Sequence, residues 1–258
     1  MPQPLGRRRI LQTVTMEQLM EKNIIIKEDP SAAAQAAVEL ITRGLNSSQR
    51  EYHLAISGGG TALLLFQALL KQEMHGKNLN KLRLWWVDER CVAPDDSESN
   101  YGHALKNLVH PLGIPEEQLY RIQGEGDPAE EAARYAALLK ERLPERNRLP
   151  VLDMIFLGMG EDGHTASVFP DDWAIFSSDA AVETARHPQC GQQRITLTPA
   201  CINNAGLIFF LITGSGKAGT LERVLFSRIE PPLPAGRISP TQGRLIWIID
   251  SAAAGRLE

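Results

Sequence analysis

The sequence predicts an α/β fold: a mostly parallel sheet flanked by helices, in one domain. Short apolar runs of strand composition alternate with helical patterns along the chain. Hydrophobic residues make up 43% and charged residues 22% of 258 residues, a globular composition long enough to bury a sizeable core. No Gly/Ser linker, charge block or internal repeat divides the chain. Residues 24–258 therefore read as a single domain, and residues 1–23 as an extension with no assigned role.

In order, the first helix opens at Pro30-Ser31, with Ser31 as N-cap, and ends near Gly44. A strand over Tyr52–Ile56 and a helix over Ala62–Met74 follow, then a strand over Leu82–Val87. Helical patterns over Asn100–Val109 and Pro128–Leu143 precede a strand at Asp153–Leu157. Strands at Ile195–Leu197 and Leu207–Thr213, a helix over Lys217–Phe226 and a strand at Leu245–Asp250 complete the pattern. The segments Glu145–Pro150 and Glu230–Pro240 read as connectors, the second stiffened by three prolines.

Charge and cysteine content exclude several functions. Lys and Arg number 27 against 31 Asp and Glu, a formal charge of −4, whereas a protein that neutralises many phosphates along a duplex is basic. Nucleic acid is not an expected partner. Cys91, Cys190 and Cys201 show no metal-ligand or disulfide spacing, which fits reduced thiols in a cytoplasmic protein and no structural metal. Leu11–Leu19 is too interrupted by polar residues for a signal-peptide core, and Leu207–Ile212 is far below the roughly 20 apolar residues of a membrane span.

Four constellations carry chemistry. Ser57-Gly58-Gly59-Gly60-Thr61 lies between a strand and a helix, where backbone N–H groups and a helix N-terminus can cradle a phosphate; otherwise it is a tight turn. It lacks the G-x-x-x-x-G-K-[ST] spacing of a nucleotide triphosphatase loop. Asp88-Glu89-Arg90 places charges at the carboxyl end of an apolar strand, where open α/β sheets bind ligands, or else forms a local ion pair. Gly158-Met159-Gly160-Glu161-Asp162-Gly163-His164 matches G-x-G-x-x-G, with Glu183 about 20 residues on, as in dinucleotide sites. Pro170 interrupts the required crossover helix, so the loop can instead hold Asp162 beside His164, a carboxylate orienting an imidazole. Arg194 and Lys217, each beside a strand end, would complete a phosphate monoester site with the Ser57–Thr61 loop.

Taken in order, Ser57–Thr61, Val87–Arg90 with Ser99-Asn100-Tyr101, Leu157–Pro170, Arg194–Thr198, Gly214–Ala218 and Gly243–Asp250 resemble the 6-phosphogluconolactonase family. The resemblance implies a Rossmann-like fold shared with sugar-phosphate isomerases and deaminases. It also implies hydrolysis of 6-phospho-D-glucono-1,5-lactone, a small sugar-phosphate lactone, in the oxidative pentose phosphate pathway without metal or organic cofactor. His164 aligns with that family's catalytic histidine and Arg90 with its active-site arginine. Arg194, Lys217 and the Ser57–Thr61 loop align with its phosphate site. Ala62 replaces a usual proline and Asp171 a usual glycine, and oligomeric state is not specified.

Glucosamine-6-phosphate deaminases share the Gly-rich histidine loop but continue it with a second carboxylate. Here Thr165–Phe169 carries none, which favours hydrolysis. The same residues are also compatible with a non-catalytic sugar-phosphate-binding protein, and the glycine pattern by itself with a dinucleotide-dependent reductase.

Overall fold

The computed structural model describes residues 23–72, 79–226 and 232–257. The extension, apart from Asn23, and the expected helix end at Met74 lie outside the described residues.

β1 (Ile24–Lys27), which the sequence pattern did not single out, leads into α1 (Pro30–Ser47). Asp29, not Ser31, is the N-cap: its carboxylate accepts the Ala32 N–H at 2.8 Å, and Pro30 occupies N1, where a missing N–H costs nothing. Nor does α1 stop at Gly44, because a Cβ there would collide with the Tyr52 hydroxyl. That glycine lets the helix approach β2 (Tyr52–Ile56) instead of ending it. Ala33, Ala37, Ile41 and Leu45 form a buried stripe at helical spacing, and the two large side chains each contribute about 1.5–3 kcal/mol.

Then come α2 (Gly60–Lys71), β3 (Leu82–Trp86), β4 (Asp88–Arg90) and α3 (Asn100–Ala104), the last prolonged by a π turn over Leu105–Val109. β5 (Leu119–Tyr120) and α4 (Pro128–Arg142) follow, with Asp127 capping α4. The connector after α4 is a small hairpin, β6 (Glu145–Arg146) and β7 (Leu149–Pro150), turned by Asn147 and Arg148 at positive φ. The remaining elements are β8 (Met154–Leu157), α5 (Trp173–Phe176), β9 (Val182–Arg186), β10 (Gln193–Leu197), α6 (Pro199–Ile202), β11 (Leu207–Ile212), α7 (Ala218–Phe226), β12 (Arg244–Asp250) and α8 (Ser251–Ala254).

Seven strands form one parallel sheet in the order β1-β12-β11-β8-β2-β3-β5. Its central strands are almost wholly buried and, apart from His53 on β2, built of apolar and aromatic residues, as burial under helices on both faces requires. Aromatic stacking fills the core, with Trp85 on Tyr120 at 4.3 Å and Phe210 on Trp247 at 4.1 Å between centroids.

A second sheet, β4-β10-β9, is antiparallel and takes the expected strand at Ile195–Leu197 away from the main sheet. Val87 joins the two. Its N–H donates to Ile56 O on β2 at 3.1 Å, and its carbonyl accepts from Leu197 N–H on β10 at 2.7 Å. Asp88-Glu89-Arg90 is thus a strand of the small sheet and not the frayed end of β3.

Candidate active site

The adjacent strands β11, β8 and β2 end side by side, and the loop after each carries part of the site. With the small sheet they enclose a cleft of about 210 Å³ at the carboxyl ends of the strands.

The first loop, Ser57–Thr61, delivers the start of α2 to the cleft. Gly59 has φ 84°, and its carbonyl accepts the N–H groups of Ala62 and Leu63. A Cβ on Gly58 would collide with the Asn100 side chain, so this glycine admits Asn100 to the wall.

In the second loop, Thr165 Oγ1 donates to Gly158 O at 2.8 Å and Gly160 N–H to His164 O at 2.9 Å. A Cβ on Gly160 would strike the His164 ring. The glycine pattern therefore curls around an imidazole. Among the described residues the only helix between β8 and β9 is the four-residue α5, and Glu183 accepts Ser178 Oγ at 2.6 Å away from the cleft, so the dinucleotide reading loses its basis. Asp162 Oδ1 lies 2.6 Å from His164 Nδ1 and also accepts the His164 N–H at 3.1 Å. Burial pushes the Asp162 carboxyl up, but the hydrogen bonds from His164 outweigh it and hold it below the ordinary carboxylate range. An ionised Asp162 keeps the hydrogen on Nδ1 and leaves Nε2 with a free lone pair.

In the third loop, Gly214 N–H donates to both carboxylate oxygens of buried Asp250 at 3.0 Å, which fixes the turn that carries Lys217. Burial draws the Lys217 ammonium below its usual range, with Glu161 and Asp250 opposing.

On the small sheet, Arg90 and Arg194 are directly opposite on β4 and β10. Burial and then the Arg90 charge lower the pKa of Arg194. Each guanidinium has a buried Nε without a partner among the described residues, although Arg90 Nη1 donates to Glu98 O at 2.7 Å. Like charges opposite one another destabilise a sheet pair, so this arrangement favours an anion between them.

Every predicted site residue except Asp162 lines this cleft, and Asp162 reaches it through His164. Asp88, Asn100, Phe169 and His187 also line it and were not predicted as site residues. Asp88 is engaged by Ser167 Oγ at 2.7 Å, and Asn100 Nδ2 donates to Asp88 O at 2.9 Å. Glu89 fixes Asn100 by accepting the N–H groups of Asn100 and Tyr101 at 2.7 Å, while burial pushes its carboxyl up. The Ser99-Asn100-Tyr101 block was a usable signal for Asn100, whereas His187 has no local one. Among the described residues no group of three or more His, Cys, Asp or Glu is placed to hold a metal ion. No described helix is long and apolar enough to cross a membrane.

Parallel-strand loops that gather an imidazole–carboxylate pair and several anion-binding groups in one cleft define an α/β protein equipped for chemistry on a small anionic ligand. The chain belongs to the family of glucosamine-6-phosphate isomerases and 6-phosphogluconolactonases, which it matches over residues 28–247. It is 39% identical to a 6-phosphogluconolactonase of Aggregatibacter actinomycetemcomitans over 227 residues, covering 86% of this chain and 95% of the relative. The human 6-phosphogluconolactonase is 36% identical over 228 residues, covering 87% and 88%. The structure of 6-phosphogluconolactonase from Trypanosoma cruzi superposes with a TM-score of 0.81 at 27% identity, covering 91% of this chain and 96% of the other.

Proposed function

We propose that the chain hydrolyses 6-phospho-D-glucono-1,5-lactone to 6-phospho-D-gluconate, the second step of the oxidative pentose phosphate pathway, as a cytoplasmic enzyme without a cofactor. The observation that carries this reading is the Asp162–His164 pair opening onto the same cleft as the Ser57–Thr61 loop, Arg194 and Lys217. The relatives named above support it.

A δ-lactone is an activated ester, so water suffices as nucleophile. His164 Nε2 takes a proton from water as its oxygen bonds to C1, and Asp162 stabilises the resulting imidazolium. Arg90 stabilises the oxyanion on the former carbonyl oxygen. When the C1–O5 bond breaks, His164 returns the proton to O5. The Ser57–Thr61 loop, Arg194 and Lys217 hold the phosphate and fix the reacting carbon near His164.

Purified protein should accelerate consumption of freshly prepared lactone well above its spontaneous hydrolysis, and a chelator should leave the rate unchanged. An unaccelerated rate from folded protein rejects the reading. Ammonia release from glucosamine 6-phosphate would replace it with deamination.

A further inference from the structure

The cleft contains a second imidazole that this mechanism leaves unused. His187 follows β9 in the β9–β10 hairpin, where its N–H donates to Gln192 O and its carbonyl accepts from Gly191 N–H, both at 2.9 Å. Its ring is fixed as well. Nδ1 accepts the N–H groups of Gln189 and Cys190 at 3.3 and 3.4 Å, and the ring meets Phe169 edge to face at 5.1 Å. An Nδ1 that accepts from two backbone donors keeps its lone pair turned toward them, so the hydrogen of the neutral ring resides on Nε2. Nε2 has no partner among the described residues, and His187 lines the cleft together with His164, Arg90 and Arg194. Phe169 packs against both histidines, meeting the His164 ring at 5.2 Å.

Burial, Arg194 and His164 all disfavour a charge on His187, Arg90 adds to them, and Asp162 opposes. The ring is thus a neutral donor among cations. A phosphate dianion is better served by the guanidinium and ammonium groups, while a neutral N–H suits an uncharged or partly charged oxygen.

We infer that His187 is a substrate-contacting residue whose Nε2–H donates to a carbonyl or hydroxyl oxygen of the sugar ring and so orients the lactone toward His164. The inference rests on the hydrolase reading above and adds a sugar-recognising group to it. Recognition is divided: cations hold the phosphate, and the hairpin histidine senses the oxygenated ring.

The test compares wild type, His187→Leu and His187→Gln on the phosphorylated lactone, with titration of 6-phosphogluconate by calorimetry. Loss of a neutral hydrogen bond should lower kcat/KM of His187→Leu roughly 3–10-fold. The glutamine amide supplies a donor near the Nε2 position and should recover most of that loss, with the shape of the pH–rate profile unchanged. A leucine variant within twofold of wild type in kcat/KM, or a glutamine variant as impaired as leucine, overturns the inference. If the leucine variant fails to fold, the glutamine variant decides: retention of kcat/KM and product affinity supports donation, and loss of both overturns it. If wild type itself does not turn over lactone, the hydrolase reading has failed. Product affinity weakened by leucine and restored by glutamine would still support His187 as a ligand contact, and unchanged affinity would remove that too.

Discussion

Replacing Asp162 with asparagine separates the role of the carboxylate from that of the imidazole it touches. The wild-type pair is 2.6 Å apart, and the same carboxylate oxygen accepts the His164 backbone N–H. An asparagine oxygen could keep both contacts, but without charge it no longer stabilises an imidazolium. Its NH2 could also donate to Nδ1, which would move the ring hydrogen to Nε2 and occupy the lone pair that the proposed mechanism uses to take a proton from water. A charge-assisted hydrogen bond contributes about 1.5–3 kcal/mol. The side chains are 32% and 45% exposed, so solvent screening reduces this to about 1–2 kcal/mol, roughly a 5–30-fold loss in kcat. KM should change little, since Asp162 is not part of the cleft surface. Stopped-flow measurement of proton release, corrected for spontaneous hydrolysis, reads both constants. A kcat within twofold of wild type would refute the orienting role and leave the contact as loop bracing.

The same carboxyl gives a stability test. Its native pKa is depressed, so its contribution is present above the unfolded value of ~3.9 and disappears as pH falls through the native value. Urea melts of wild type and Asp162→Asn should therefore differ at pH 7 and converge in acid. His164→Ala should keep phosphate affinity and lower kcat about 10²–10⁴-fold. Near-wild-type kcat in that variant would make the histidine structural. Arg194→Ala and Lys217→Ala should each raise KM for the phosphorylated lactone by the equivalent of about 1.5–3 kcal/mol, with much smaller effects on gluconolactone. Equal losses on both substrates would move the cations elsewhere. Gly58→Ala should weaken phosphate-ester binding because its methyl group displaces Asn100, and unchanged KM would show that Asn100 can shift freely.

The central strands were legible because their burial on both faces writes continuous apolar runs, and β2 spans the expected Tyr52–Ile56. The Gly-rich loops were legible because tight turns at strand ends need glycine. The small sheet was not, since β4 is three charged residues that pair with β10 across a long stretch of chain, and β9 is a half-polar hairpin partner of β10. That omission concealed His187, which only the hairpin brings to the cleft. The opposition of Arg90 and Arg194 was hidden for the same reason. Helix ends went astray where two signals competed: Asp29 displaced Ser31 as the cap, and Gly44 answered to Tyr52 instead of to a turn.

The Val87 junction sets how the cleft can move. One residue, through its own N–H and carbonyl, ties β2, which ends at the Ser57–Thr61 loop, to β10, which carries Arg194, and that residue is fully buried. Parting the walls there would strip a buried amide or carbonyl of its partner, at about 1–3 kcal/mol each. The two banks are spliced, and their gape is set at folding. A ligand meets a mould already cast, so little binding energy is diverted into ordering the walls and more remains for fit. Discrimination between sugars then resides in where side chains project from fixed banks, not in a jaw that shuts.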